Sequence, residues 1–212
     1  SIANSINAKG QSFAVAARNA EDGLSFLQAA ESVLLELAAL TTRMRELGLQ
    51  EGNADLMSTS DLTALNAETA AINAAYVAIA ANTKFNGVAI VGDADLAIGI
   101  DDGGNTVTVG STASLTSLAA TGTTAVAMAD AAHSLIATAL GQVAAGMTAL
   151  KGYQSVASAT SANLQAAAAR IQDTDYALET ASLTKATILN QAAMAMVSQA
   201  NDAQAAVLAV IQ

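Results

Sequence analysis

The pattern of apolar and polar positions over about residues 20–50 predicts a long helix. Apolar or small residues recur alternately three and four positions apart: Leu27, Ala30, Leu34, Leu37, Thr41, Met44 and Gly48. A repeat of about 3.5 residues is typical of a helix that packs lengthwise against other helices. We therefore expect a helix from about Ala20 to Gln50 with one edge covered by neighbouring helices.

A second helix is predicted after a short break. The stretch EGNADLMSTS (Glu51–Ser60) concentrates Gly, Asn, Asp and Ser, which favour loops. Helical spacing resumes from about Asp61 to Ala81, and Ser60 or Asp61 is expected to cap this helix by accepting backbone N–H bonds. The positions expected to face its neighbours are Leu62, Leu65, Thr69, Ile72, Tyr76 and Ile79.

The pattern becomes β-prone in the middle of the chain. Asn86-Gly87 supplies residues that tolerate positive φ, so the second helix is expected to end and reverse there. The short runs VAIV, LAIGI and TVTVG follow, and DDGG (Asp101–Gly104) between the last two predicts a hairpin connection. Residues 111–124 are a connector rich in Ser, Thr, Ala and Gly.

The remainder, about Ala125 to Gln212, has one near-continuous helical pattern with two phases. The first phase occupies Ile136, Leu140, Val143, Met147, Leu150, Gln154, Ala157, Ser161, Leu164, Ala168, Ile171 and Asp175. The phase shifts near Thr180, and the second occupies Leu189, Ala193, Met196, Ala200, Ala203, Val207 and Val210. Two phases in so long a run predict two stacked bundle segments rather than one globule.

Composition narrows the function classes. The formal charge of −10 disfavours nucleic acid or an anionic membrane as a partner. Hydrophobic residues make up 53% of the sequence, but many are alanines, and the charge-free stretch from Ala186 to Asn201 contains polar Asn, Gln and Ser residues. We therefore expect no membrane insertion. The high alanine content and low charge suggest faces that neighbouring copies cover.

Three features resemble catalytic or binding motifs without their chemistry. His133 and Ser134 are adjacent, and neighbours on a helix point apart, so a Ser–His pair is not expected. GQVAAGMT (Gly141–Thr148) has phosphate-loop glycine spacing but Met147 in place of lysine, which favours close helix packing. A calcium loop starting at Asp93 fails because Ile98 stands where glycine is needed.

The remaining acidic residues of this region, which include Asp95, Asp101 and Asp102, are interpreted as solvated turn carboxylates, with a weak cation site as the alternative. We expect no enzyme activity, no cofactor and no metal.

TRMRELGLQ (Thr42–Gln50) places Arg43, Arg45 and Glu46 on an otherwise neutral helix. One interpretation is an ordinary solvated face, with Arg43 and Leu47 one helical turn apart. The other is a recognition stripe for another protein. The residues by themselves leave both open.

Three separated stretches resemble bacterial flagellins. They are ARNAEDGLSFLQAAESVLLELAALTTRMRELGLQ, NTKFNGVAIV and RIQDTDYALETASLTKATILNQAAMAMVSQANDAQAAVLAVIQ. The resemblance covers about residues 1–91 and 125–212. It implies a mainly α fold: an elongated, rod-like antiparallel helical bundle or coiled coil with a small β-hairpin region between its N- and C-terminal helical parts.

The resemblance also implies a domain plan and a function. Residues 1–91 and 125–182 would form the two halves of the core rod, residues 92–124 a hairpin and connector, and residues 183–212 the inner-tube helix. The protein would be an extracellular structural subunit that self-assembles into the flagellar filament after unfolded export through the flagellar type III system. The alternatives are a hook–filament junction protein and a flagellin-like cell-surface ligand-binding protein.

Partners and site residues follow from the same resemblance. Arg43, Leu47 and Glu68 match residues with which flagellins contact Toll-like receptor 5, whereas Gly48 and Leu49 depart from the family's usual Ala and Val. An export chaperone is expected on the C-terminal helix. The face expected to pair consists of Leu189, Met196, Val207 and Val210.

The sequence begins inside the family's pattern, so the terminal helix is expected to lack its intramolecular partner. We therefore expect this helix to be disordered, bent back or covered by another polypeptide.

Overall fold

The computed structural model describes residues 2–92, 96–111, 115, 118, 123–173 and 176–211. Four α-helices, a three-residue 3₁₀ helix (Ala54–Leu56) between the first two, and two short strand pairs make up the described fold. In sequence order the elements are α1 (Ile2–Glu51), α2 (Thr59–Asn82), β1 (Lys84–Phe85), β2 (Val88–Ala89), β3 (Leu96–Gly99), β4 (Thr106–Val109), α3 (Thr123–Gln172) and α4 (Tyr176–Ile211). The predicted mainly α class with a small β region is confirmed.

Helices α1 and α3 lie antiparallel along their whole length. Gly10 lies against Leu164, Gly23 against Leu150, and Gly48 against Val126, so partner positions fall along α3 as positions rise along α1. Each helix has 50 residues and is therefore about 75 Å long. The pair forms the rod that the sequence predicted, although α1 begins well before the expected Ala20.

The face between α1 and α3 holds the core. Every position that the sequence assigned to the buried edge of α1 is buried, and Leu27, Leu34 and Leu37 are fully inaccessible. Ile136, Val143 and Leu150 meet them from α3. Each fully buried side chain of this kind adds ~1.5–3 kcal/mol, so this face is the main source of the rod's stability.

Helix α2 packs on α1 through a narrow face. Leu65, Thr69 and Tyr76 are buried, and the other three predicted positions are half-buried. The expected cap at Ser60 or Asp61 is wrong, because the helix starts earlier and Ser58 is its cap. The Ser58 hydroxyl accepts from Asp61 N at 3.2 Å, and the Asp61 carboxylate accepts from Ser58 N at 3.1 Å.

Asn86-Gly87 forms the two-residue loop of a hairpin that the sequence did not predict. Helix α2 ends at Asn82, before this dipeptide, and β1 pairs antiparallel with β2 across it. Asn86 has φ 50° and Gly87 has φ 83°, as a type I′ turn requires. The Phe85 ring meets Phe26 of α1 edge-on, with 5.9 Å between ring centroids, and so holds the hairpin on the rod.

The hairpin predicted at DDGG is confirmed as β3 and β4, paired from Leu96↔Val109 to Gly99↔Thr106. It lies over the junction of α1 and α3. A Cβ on Gly23 would come within 3.1 Å of Ile98, and one on Gly146 within 3.4 Å of Val109. These two glycines on facing helices therefore leave the space in which the hairpin packs.

The predicted near-continuous C-terminal helix is interrupted. Helix α3 ends at Gln172 and α4 begins at Tyr176, a few residues before the expected phase shift near Thr180. Ile171, assigned to the first phase, is exposed, and Asp175 lies outside the described residues. Helix α4 is well formed and does not pack extensively on any other described element. Of the three expected states of this helix, the disordered and bent-back ones are therefore wrong, and coverage by another polypeptide stays a prediction.

By length and composition, α1 alone among the described helices could cross a membrane. Leu27, Leu34 and Leu37 of this helix lie fully buried in the core that α1 shares with α3, whereas Ile2, Leu35 and Leu49 are more than half exposed. Packing in the rod therefore accounts for part of this apolar composition.

Candidate interaction surfaces

A three-residue charge cluster joins α1 to α2 on one face of the rod. The Arg43 guanidinium donates to Glu68 from Nη2 at 2.6 Å and from Nε at 2.9 Å, and to Glu46 from Nη1 at 3.0 Å. The two Glu68 hydrogen bonds contribute most to raising the Arg43 pKa above its usual value. All three side chains are about half exposed, so solvent screens the pairs and a partner protein can reach them.

Leu47, the third residue of the predicted receptor stripe, is buried at 1% exposure. It lies one helical turn after Arg43 and follows the apolar edge of α1 rather than its exposed face. The fold thus brings Arg43 and Glu68 together at the surface and places Leu47 beneath it. A receptor contact by these residues stays a prediction.

Arg45 points to the other side of α1. Its Nε donates to Asp130 of α3 at 2.7 Å, and nearby His133 Nε2 lies 3.1 Å from the Thr42 hydroxyl. Because that hydroxyl already donates to the Ala38 carbonyl, the imidazole N–H is the donor. His133 therefore links α3 to α1, and its hydrogen bond runs to Thr42 rather than to the adjacent Ser134.

Helix α4 carries more exposed large apolar side chains than any other described helix. On the predicted pairing face, Leu189 is 59% exposed, Met196 72% and Val207 59%. Val210 continues the same helix, but its side chain lies outside the described side chains. No other described element packs extensively on α4, so that face is left open by the described residues.

A second set of α4 residues was missed by the sequence interpretation. Leu183, Met194 and Val197 are equally exposed, and at about 100° per residue they lie well around the helix from Met196. A helix with apolar residues on several sides is typical of one buried among neighbours. These apolar residues are visible in the sequence, but they lie outside the single repeat of about 3.5 residues that defines the predicted face.

The motif-like segments have structural roles. A Cβ added to Gly146 of the GQVAAGMT segment would lie 3.1 Å from Leu27, which confirms close helix packing at this position. Gly141 of the same segment faces open space. Asp101 closes the β3–β4 turn by accepting from the backbone N–H groups of Gly103 and Asn105 at 2.9 and 3.0 Å. Asp93 and Asp95 lie outside the described residues.

No group of three or more described His, Asp or Glu residues is arranged to hold a metal ion. The Arg43 cluster and the apolar surface of α4 are two exposed features of the described residues that suit contact with another protein.

Comparison with known proteins supports one family. The bacterial flagellin N-terminal helical region matches residues 1–94, and the bacterial flagellin C-terminal helical region matches residues 123–211. The two matches enclose the β3–β4 hairpin and the connector.

Curated relatives agree across most of the sequence. A flagellin of Halalkalibacterium halodurans is 34% identical over 93% of this chain and 78% of its own length. Flagellin FlaB2 of Treponema pallidum is 32% identical over 93% of this chain and 79% of its own. The crystal structure of Bacillus cereus flagellin aligns with a TM-score of 0.45 and 22% identity, covering 74% of this chain and 93% of that one.

The antiparallel rod and the uncovered terminal helix define a structural protein that associates with other helical polypeptides. Its relatives are structural proteins of the same kind. The chain belongs to the bacterial flagellin family. It is a structural subunit of the flagellar filament, which lies outside the cell.

Proposed function

We propose that this protein is a core-only filament subunit that acts by self-association and not by catalysis. Residues 1–91 and 125–182 form the outer rod, residues 92–124 a short β-hairpin and connector, and residues 183–212 an inner helix. The observation that carries the proposal is α4: a 36-residue helix whose large apolar side chains are uncovered by the rest of the described residues.

The exposed apolar area supplies the driving force for assembly. Burial of one Leu, Met or Val side chain adds ~1.5–3 kcal/mol, and α4 has at least seven such side chains exposed by more than half. A patch of this size on a soluble protein marks an interaction surface. Several helical partners suit it, because exposed apolar residues lie on several sides of α4.

A charge placed on this face tests the proposal. We expect Met196→Asp to abolish or strongly reduce filament formation by the full-length protein, seen by electron microscopy after salt-induced assembly. Gln191→Glu is the matched control, because it adds the same charge to an exposed α4 residue about 140° around the helix from Met196. The thermal unfolding of both monomers should stay close to the wild type.

Equal assembly by the two variants would show that this face of α4 is not the one that the filament covers. Loss of assembly by both would show that the filament also covers α4 on the Gln191 side, or that added charge alone prevents assembly.

The same surface offers a site for an export chaperone before assembly. Leu189, Met196, Val207 and Val210 are then covered by a cytoplasmic partner, and later by sister subunits. Unfolded export through the flagellar type III system suits a sequence with no cysteine, since no cross-link can form within it. Calorimetric titration with the cognate chaperone should lose affinity with Met196→Asp and keep it with Gln191→Glu.

Recognition by Toll-like receptor 5 is proposed at the Arg43 cluster. Support comes from the half-exposed Arg43 and Glu68 side chains, which meet at the surface of α1 and α2. A cell reporter should respond to the wild type and lose most of the response with Arg43→Ala. Arg45→Ala is the control, because it also removes an equally exposed arginine of one ion pair, but on the α3 side.

A wild-type protein that gives no response would remove the receptor from the proposal. That result would leave the filament role untouched.

A further inference from the structure

We propose that Asn86 is a site of spontaneous deamidation, and that opening of the β1–β2 turn controls its rate. The turn is the segment Phe85–Val88, with Asn86-Gly87 at its tip. Asn86-Gly87 is the sole Asn-Gly dipeptide in the sequence. The inference concerns a chemical modification and is independent of the assembly proposal.

The reaction needs only neighbouring backbone and water. The Gly87 amide nitrogen attacks the carboxamide carbon of Asn86, a C–N bond forms, and ammonia leaves as the original carboxamide C–N bond breaks. Water then opens the cyclic imide at either carbonyl and gives aspartate or isoaspartate. One water is consumed and one ammonia released, and no electron is transferred.

The structure leaves both reacting groups accessible. Asn86 and Gly87 are exposed, and the space where a Gly87 side chain would lie is empty within 4 Å. Within the described part of the protein, neither the Asn86 side chain nor the Gly87 N–H makes a hydrogen bond. A nucleophile without a side chain and without a hydrogen-bond acceptor is well suited to the attack.

The folded turn opposes ring closure. Both residues are held at positive φ by β1 and β2 on either side, whereas ring closure needs the side-chain carboxamide carbon of Asn86 to come into contact with the Gly87 nitrogen. The restraint is weak, because each strand has two residues and all four are exposed. Outside the strand pair, Phe85 against Phe26 and the bond from Ile90 N to Thr83 O hold the hairpin in place.

The products change the surface in two ways. Aspartate or isoaspartate adds one negative charge to the formal −10 of the protein. Isoaspartate also adds a carbon to the backbone of a two-residue loop, which disturbs the Phe85↔Val88 pairing and the contact of Phe85 with Phe26. Conversion therefore loosens the hairpin where α2 leaves the rod.

Peptide mapping by mass spectrometry tests the proposal. The folded protein, a urea-unfolded sample and two variants are incubated in mildly alkaline buffer, and electron-based fragmentation separates aspartate from isoaspartate. We expect conversion at Asn86 to exceed that at every other described asparagine. Conversion should be fastest in urea, intermediate in Phe85→Ala and slowest in the wild type.

Val88→Ala is the matched control, since it shortens an exposed strand residue that makes no ring contact and should convert at nearly the wild-type rate. Thermal unfolding of each variant verifies that the rod is intact. No conversion in the folded protein while the unfolded sample converts would overturn the proposal. Equal conversion rates in Phe85→Ala and the wild type would overturn the claim that opening of the turn controls the rate.

Discussion

Helices α3 and α4 are both long, alanine-rich and apolar, yet they differ completely in burial. In α3, Ile136 and Leu150 are 1% and 0% exposed, whereas Leu189 and Met196 of α4 are 59% and 72% exposed. The difference is that α1 lies along α3 and no described element lies along α4. An apolar repeat therefore specifies that a face is to be covered, but not which polypeptide covers it.

The largest expected effect is a difference in the free energy of unfolding between a leucine truncation in the rod and one in α4. Leu34→Ala removes a fully buried side chain of the rod and is expected to lower the free energy of unfolding by ~2–5 kcal/mol. Leu189→Ala removes the same atoms from α4 and should change it by less than ~0.5 kcal/mol. Urea unfolding of the monomers measures both, and equal losses would show that α4 is covered within the monomer.

Close helix contacts sharpen the comparison. A Cβ on Gly48 would lie 2.9 Å from a Val126 methyl and 3.0 Å from its backbone nitrogen, so Gly48→Ala should cost ~1–3 kcal/mol. Gly152 faces open space on α3, and Gly152→Ala should stabilise the helix by ~0.5–1 kcal/mol. We expect Gly48→Ala to lower the unfolding temperature and Gly152→Ala to raise it. A stabilising effect of Gly48→Ala would contradict the close contact with Val126.

A smaller effect comes from the polar link between α1 and α3. The buried Ser161 hydroxyl donates to the Gly10 carbonyl at 2.7 Å, so Ser161→Ala should lose ~0.5–1.5 kcal/mol. Ser158→Ala, at an exposed position three residues earlier, reports the change in helix propensity alone. The Ser161 hydroxyl also accepts from Gln165 Nε2 at 3.1 Å, so the difference between the two variants in urea unfolding gives the contribution of both hydrogen bonds. No difference would show that these hydrogen bonds do not stabilise the rod.

The smallest effect is a pH dependence within the rod. The hydrogen bond from the Ser58 side chain, followed by that from its backbone, lowers the Asp61 pKa below its usual 3.8. A lowered pKa in the folded state stabilises the α2 start above pH 3.8, and this contribution is lost as the pH falls through the folded value. Asp61→Asn should reduce the loss of helical circular dichroism signal as the pH falls below 3.8. An unchanged loss would show that other groups cause the acid sensitivity.

The sequence predicted the rod because its apolar repeat is long and regular. Leu27, Leu34 and Leu37 are buried where the repeat placed them, and the β3–β4 hairpin forms at DDGG. The first turns of α1 were missed since their buried residues are small: Ala3, Gly10 and Ala16 carry little hydrophobic signal. Their packing depends on close approach to α3, which a single segment does not reveal.

The site residues, too, depend on contacts between segments that are distant in the sequence. Arg43 and Glu68 are 25 positions apart, and only the folding of α2 against α1 brings them into contact. Leu47 matched a surface stripe by resemblance, although the helical repeat already placed it one position from buried Gly48. The β1–β2 hairpin was missed because two-residue strands are too short to produce an alternating pattern.

The antiparallel contact between two 50-residue helices limits variation in the length of this protein. A single-residue deletion in α1 before Leu34 rotates everything after it by about 100° relative to the preceding turns and removes Leu34 and Leu37 from their partners on α3. Insertions or deletions in the rod are therefore tolerated in whole heptads, matched between the two helices.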